Sequence, residues 1–364
     1  MIYLDYQATT PLAPEAREAM LPWLAGPEAA EGLGGFANPH SPHRPGRAAA
    51  AAVEVAREQV AALLPKGGRV IFTGSATEAL NLAVFGTDAV QLAVSNMEHA
   101  AVLDSARASG RPLHLLQTDR EGLVPADAEI PAGTGLVAVM QVNNEIGTIQ
   151  PVAQLAEAAH AAGALFLCDA VQGVGKLAAP EGADMIAVSA HKLYGPKGIG
   201  ALWLRDGIAL RPLIHGGGQE QGLRSGTLSP ALCAGFGAAA ALAGERMVQD
   251  EAHVVSLWLH ARALLSGWEL NGSAELRWRG NLNLRRDGID VSRLMSDLRD
   301  VAFSAGSACA SGSGRPSHVL RAIGLSEAQA KSSIRIGFGR YTTLSEVEDA
   351  CASINAAAAA QGVT

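Results

Sequence analysis

The chain has 364 residues, with 28 lysines and arginines against 35 aspartates and glutamates, for a formal net charge of -7. Its length accommodates two domains, and a composition of 48% hydrophobic and 17% charged residues supports a large core rather than general disorder. No block of lysine or arginine occurs, which argues against nucleic acid or an anionic membrane as the main ligand.

The first residues, MIYLDYQATT, have neither the basic start nor the apolar run of a secretory signal. From Arg69 to Arg205 short apolar runs alternate with alanine-rich segments of helical spacing. The runs are VIFTG, VQLAVSN, LHLLQT, LVAVMQV, ALFLCDA, MIAVSA and IGALWL, and the segments between them include TEALNLAVFG and PVAQLAEAAHAAG. The runs lack strict polar alternation, as strands buried on both faces should. The pattern predicts an α/β fold: a large domain with a mostly parallel seven-stranded sheet covered by helices.

Further along, LCAGFGAAAALAG is the longest apolar stretch; at 13 residues it is too short to span a bilayer and predicts a buried helix. After Gly244 the texture changes: ERMVQDEAHVVSLWLHARALL is helical, LRWRGNLNLR is strand-like, and more helix and strand follow. This predicts a smaller α+β domain. The expected division is 13–244 for the large domain, with 1–12 and 245–364 in the small one, and the tail INAAAAAQGVT is expected to be a fraying helix end.

Cys168, Cys233, Cys309 and Cys351 lie 65, 76 and 42 positions apart with no CxxC pair. That spacing disfavours a zinc or iron–sulfur site made by this chain alone, so no metal is expected. A disulfide framework is equally disfavoured, and a reducing cytoplasm is the expected location. Cys309 is set in FSAGSACASGSG, among glycine, alanine and serine, where a thiol would face solvent in a pliable segment.

Polar residues follow five of the apolar runs: SATE after VIFTG, MEH after VQLAVSN, NNE after VAVMQV, DAVQ after ALFLC, and HK after MIAVSA. In open α/β sheets ligands bind outside the carboxyl ends of the strands, so these clusters should converge on one crevice. Ser75-Ala76-Thr77-Glu78 fits a capping box, leaving backbone N–H groups and a positive helix end beside glycine and hydroxyls. On this motif alone an ordinary capped helix explains the residues as well as a phosphate site does. No GxxxxGK[ST] occurs, so a P-loop is not indicated.

Only five lysines are present, and Lys192 directly follows a buried run, where desolvation favours the neutral amine that a Schiff base needs. Lys197, in a Gly-Pro turn, should be exposed. Asp169 could pair with a protonated ring nitrogen, Gln172 could donate to a phenolate-like oxygen, and His99 could stack on a planar ring and move protons. A phosphate cradle, a Schiff-base lysine, an aspartate for a ring nitrogen and a stacking histidine together match what pyridoxal 5'-phosphate requires.

These motifs are YLDYQATTP, NPHSPHRPGRAA, FTGSATEALNLA, EHAAVLD, VNNEIGTIQP, DAVQGVGK, SAHKLYGPKGIG, GGGQEQGLRSGT, GSACASGS and SSIRIGFGR. With them the sequence resembles the cysteine desulfurases, pyridoxal-phosphate enzymes of fold type I within the class V aminotransferase family. The resemblance implies that Lys192 bears the cofactor, Asp169 meets its ring nitrogen, Gln172 its hydroxyl oxygen, and His99 its face. It implies that Ala76, Thr77, Ser189 and His191 hold the phosphate, with Thr227 reaching it from the other subunit of a homodimer, and that Asn144 also contacts the cofactor. Asn144 and Arg335 match positions that hold the substrate near its carboxylate, and Asn38 belongs to a motif that also lines the site. Arginine, planar and permanently charged, suits a carboxylate clamp. Ala37, His40 and Gln219 depart from the residues usual in the family, which bears on loop behaviour and acceptor choice.

The implied reaction converts L-cysteine to L-alanine, with Lys192 taking the Cα proton and the Cys309 thiolate receiving sulfur as a persulfide. An acceptor protein, an iron–sulfur scaffold or a thiolation factor, would then take the sulfur. A glycine- and serine-rich setting would let the thiol reach both partners, and prolines at Gly306 and Gly312 should slow delivery while sparing cofactor binding. The competing assignments are a selenocysteine lyase or another class V aminotransferase that does not use Cys309, and a non-catalytic scaffold.

Overall fold

A computed structural model describes residues 1–26, 35–306 and 317–363. The seven apolar runs form the seven strands Gly68–Thr73, Gln91–Ser95, Leu113–Leu116, Thr134–Ala138, Leu165–Asp169, Met185–Ser189 and Gly200–Arg205. Across the sheet they lie in the order 68–73, 200–205, 185–189, 165–169, 134–138, 91–95, 113–116. Neighbours run parallel from 185–189 to 113–116, while 200–205 is antiparallel to both strands beside it. The sheet is therefore mostly parallel, with one reversed strand.

Alternate residues of each strand face two separate cores. Phe72, Val137, Phe166, Ile186 and Trp203 point to one side, toward the helices Arg44–Ala61 and Val152–Ala161. Ile71, Leu136, Leu167, Ala187 and Leu202 point to the other, toward Ala76–Gly86 and Ala100–Ala108. Both faces being covered explains why the runs show no polar alternation. Phe166 is fully enclosed, and by the usual cost of truncation to alanine such a side chain contributes about 3–5 kcal/mol.

A second, antiparallel sheet has the order Ser304–Ala305, Ser333–Gly337, Asn281–Arg285, Glu269–Leu270, over a core that includes Trp268, Leu284, Ile336 and Ile354. The capped helix Leu344–Ala359 packs on it; Thr343 and Glu346 form a complete capping box at its start. The chain's first strand, Ile2–Tyr3, pairs with Val301–Ala302, and Asp5 bridges Gly337, so the N-terminus begins in this second part.

Position 244 does not fall in a linker. Pro230–Leu264 is one continuous helix of 35 residues; its buried positions as far as Ala243 belong to the first core, and those from Val254 belong to the second. The 13-residue apolar stretch is its first segment. Length and composition alone would let this helix cross a membrane, yet Phe236, Ala240, Leu257 and Trp258 are packed inside the protein.

Candidate active site

The carboxyl ends of the strands open on a cleft of about 350 Å³, lined by Ser75, Ala76, Thr77, His99, Asn144, Asp169, Gln172, Ser189, His191, Lys192 and Arg335, among others. These eleven residues, all singled out in the sequence, come from five separate strand ends and, for Arg335, from the second sheet, and they meet in one place.

At one end of the cleft, helix Ala76–Gly86 begins at Ser75, whose Oγ accepts the Glu78 N–H at 3.2 Å. The expected capping box is only half made. The Glu78 carboxylate accepts the Gly74 N–H at 2.7 Å and pairs with Arg224 at 2.7 Å, rather than reaching back to Ser75. Among the described residues the N–H groups of Ala76 and Thr77 have no partner, and they stand at the positive end of the helix. Two free donors in that position suit a phosphate. Gly200 permits the approach, since a Cβ there would lie 2.6 Å from the Ala76 nitrogen.

Lys192 ends a short 3-10 turn, Ala190–Lys192, after strand Met185–Ser189. Its Nζ donates to the carbonyl of Ala8 at 2.8 Å and to that of Gln7. Burial, with the Arg335 guanidinium adding to it, pushes its pKa down to about 8. His191 is pushed down to about 4 by burial and the nearby lysines, so it is neutral at pH 7 and its Nδ1 pairs with Thr9 Oγ1 at 3.1 Å. Tyr194 follows in a left-handed conformation, φ 68°, held by Thr10 Oγ1 accepting its N–H at 2.8 Å. Lys197 is exposed, as expected.

Asp169 is buried; its Oδ1 accepts the Val171 N–H at 3.0 Å, and among the described residues no cation lies within ion-pair distance. Burial pushes its carboxyl up, opposed by His99, the Val171 N–H and Lys192. A buried carboxylate lacking a counter-charge fits a protonated ring nitrogen, which would keep it ionised. Gln172 donates from Nε2 to the Gln7 carbonyl at 2.9 Å and accepts from Lys176 at 3.4 Å. A carbonyl only accepts, so the Gln7 contact locks the amide in one flip and leaves a second Nε2 hydrogen for a ring oxygen. His99 caps helix Ala100–Ala108: its Nδ1 accepts the Ala101 N–H at 3.1 Å, which assigns the neutral ring's hydrogen to Nε2. The free helix donors, the buried amine and the unpaired carboxylate together fit pyridoxal 5'-phosphate.

Arg335 donates to the Asn144 carbonyl at 3.1 Å and to Asp5 Oδ1 at 2.8 Å. Asn38 and Thr227 are exposed and do not line the cleft of a single chain. Cys309 and Gly312 lie outside the described residues. Gly306 is not a free hinge: its N–H donates to the Ser333 carbonyl at 2.6 Å, and a Cβ on it would sit 2.6 Å from the Ser333 Cβ. Proline there would break this anchor, so only Gly312 remains as a test of loop pliancy.

Sequence reasoning missed the segment Asp5–Thr10, which lines the cleft through Gln7 and Ala8. It supplies the Gln7 and Ala8 carbonyls to Lys192, the Thr9 hydroxyl to His191, and the Asp5 carboxylate to Arg335. Its motif was visible, but main-chain acceptors leave no mark in residue identity. Glu98 was also missed: fully buried, it is pushed up to about 8 by burial, with the Asp169 charge adding to this.

Residues 2–349 match the model of the family described as Aminotransferase class-V. The chain is 41% identical to the cysteine desulfurase IscS of Rickettsia akari (strain Hartford) over 95% of its own length and 88% of that protein's. Among solved structures it is similar to a NifS-like protein, with a TM-score of 0.87 and 30% identity over 98% of both chains. It is also similar to SspA in complex with cysteine, with a TM-score of 0.79 and 34% identity over 94% of this chain and 100% of that one.

Proposed function

We infer that this chain, which belongs to the class V aminotransferase family and within it to the cysteine desulfurases, carries out its reaction through Lys192, His99 and Cys309. The reaction converts L-cysteine to L-alanine with transfer of sulfur, and it depends on pyridoxal 5'-phosphate. When bound, that group supplies an aldehyde for amine capture and an electron sink.

In this reading the Ala76 and Thr77 N–H groups, with Ser189 and His191, hold the phosphate; Asp169 faces the ring nitrogen and Gln172 the hydroxyl oxygen. Lys192 Nζ, eased toward its neutral form by burial, takes the substrate Cα proton. His99, held at Nδ1, offers its Nε2 hydrogen to the cleft. Arg335 and Asn144 orient the substrate carboxylate. The Cys309 thiolate takes the substrate sulfur as a persulfide, and the carbon skeleton leaves as L-alanine. The observation that carries the assignment is Lys192, with its depressed amine, in one cleft with Asp169, Gln172, His99 and Arg335.

A homodimer suits the exposed Thr227, which would complete the neighbouring site, and Asn38 is placed likewise. The sulfur acceptor would be an iron–sulfur scaffold or a thiolation factor. A cytoplasmic setting suits the three free, buried cysteines Cys168, Cys233 and Cys351. The division into 13–244 and 1–12 with 245–364 would place the hinge within helix Pro230–Leu264.

The test is peptide mapping by mass spectrometry after borohydride reduction and, separately, after L-cysteine treatment. Expected are the reduced cofactor adduct on Lys192 and a persulfide on Cys309. Undiminished sulfur transfer by Cys309→Ala would overturn the assignment of the thiol and favour an enzyme of the selenocysteine lyase type.

A further inference from the structure

Arg335 offers five N–H donors, one on Nε and two on each Nη. A guanidinium grips a carboxylate bidentately through one of two forks, Nη1 with Nη2 or Nε with Nη2. Both forks need Nη2, and here Nη2 is occupied: it donates to Asp5 Oδ1 at 2.8 Å and to Ser304 Oγ at 3.1 Å. The Ser304 hydroxyl in turn donates to the same Asp5 oxygen at 2.9 Å, closing a triangle. The remaining donors are divided, with Nη1 on the Asn144 carbonyl and Nε buried without a partner.

The triangle is held by the fold. Ser304 stands directly opposite Arg335 in the antiparallel pair, and Asp5 bridges Gly337 two residues further along the arginine's strand. The ion pair is largely shielded, with side-chain exposures of 11% for Arg335 and 19% for Asp5, so it is stronger than an open surface pair. Arg335 lines the cleft and Asp5 does not. An incoming carboxylate therefore meets an arginine whose charge is already answered from behind.

We propose that Asp5 is a resident competitor in the substrate-carboxylate subsite: the α-carboxylate of an amino acid gains Nη2 of Arg335 only by displacing Asp5 and Ser304. This rests on the assignment of Arg335 to the substrate carboxylate. The same contest applies to every α-amino acid that enters, product included, so Asp5 lowers affinity for L-alanine as much as for L-cysteine. It is a positioning residue that tunes carboxylate affinity through Arg335.

The experiment uses the cofactor-loaded enzyme and two unreactive probes, L-alanine and L-alaninamide, titrated by the change in visible absorbance. Asp5→Asn is nearly isosteric, and replacing a charged acceptor by a neutral one weakens its hold on Nη2, so L-alanine should bind about 3–10-fold more tightly. L-Alaninamide, lacking the carboxylate, should be unchanged, and KM for L-cysteine should fall without a matching change in kcat. If Asp5→Asn fails to fold, Ser304→Ala frees one Nη2 hydrogen and should move L-alanine in the same direction. L-Alanine binding that stays the same or weakens, or equal tightening of both probes, overturns the competition. In Arg335→Ala the preference for L-alanine over its amide should vanish. If it persists, the arginine's assignment fails and this inference with it, whereas the other outcomes overturn the inference alone.

Discussion

The Nζ of Lys192 lies 2.8 Å from the main-chain carbonyl of Ala8, a residue 184 positions earlier in the chain. The N-terminal segment is thus a wall of the site, and it presents the amine with acceptors while burial disfavours its charge. With a pKa near 8 against an ordinary 10.5, Lys192 should capture the cofactor fastest once pH exceeds about 8. The rate of cofactor uptake by the cofactor-free protein, followed by visible absorbance, should rise with pH and level off with a midpoint near 8. A rise that continues toward pH 10 would show an unperturbed lysine, and Lys192→Ala should give no borohydride-fixed adduct.

Much of this arrangement was legible in the sequence because the sheet is buried on both faces. Every strand became an apolar run, and its end became the first polar residue, which located Asp169, Gln172 and Lys192. The missing parts have physical reasons. Asp5, Gln7 and Ala8 act through a long-range partner or a main-chain oxygen, neither of which has a local pattern. The continuous helix through 244 was hidden because Glu245 and Arg246 begin a more polar segment, although the helix carries one apolar face into each core. The Ser75–Glu78 pattern promised a reciprocal cap; Arg224, 146 positions away, drew the glutamate elsewhere.

The proposed function gives His99 two separable duties: its Nδ1 caps a helix, and its Nε2 hydrogen is the one assigned to the cleft. Asparagine is a good helix N-cap, so His99→Asn should cost less than about 0.5 kcal/mol in unfolding free energy, while His99→Ala should cost about 1 kcal/mol. Both should lower kcat by about 100-fold or more, the usual worth of a positioned proton donor. Unfolding curves beside steady-state rates separate the two effects. A His99→Asn enzyme with near-normal kcat would confine His99 to capping.

Gly306 is pressed against the neighbouring strand, where an added Cβ would lie 2.6 Å from the Ser333 Cβ and 2.8 Å from its carbonyl carbon. Backbone cannot yield there as a flexible side chain would, so Gly306→Ala should destabilise the protein by about 1–3 kcal/mol. Because Ser333–Gly337 also carries Arg335, KM for L-cysteine should rise as well. Wild-type stability together with wild-type KM would mean that this edge strand moves aside freely.

Glu98 should make stability depend on pH in a defined direction. Its carboxyl is fully buried and raised from 4.5 to about 8, Oε1 accepts from the Ser95 hydroxyl and the Met140 N–H, and Oε2 has no partner. Between those pH values the folded protein holds a proton that the unfolded chain has released, so folding becomes less favourable as pH rises through the window. Below about 4.5 both states are protonated and the penalty is absent. Glu98→Gln resembles the protonated acid and its carbonyl oxygen can keep both bonds, so it should match the wild type at pH 4 and exceed it by about 1–3 kcal/mol at pH 8. Denaturant unfolding at the two pH values reads this difference directly. An equal offset at both would mean that Glu98 stays ionised throughout, and that Asp169 then shares the sheet's end with a second full negative charge.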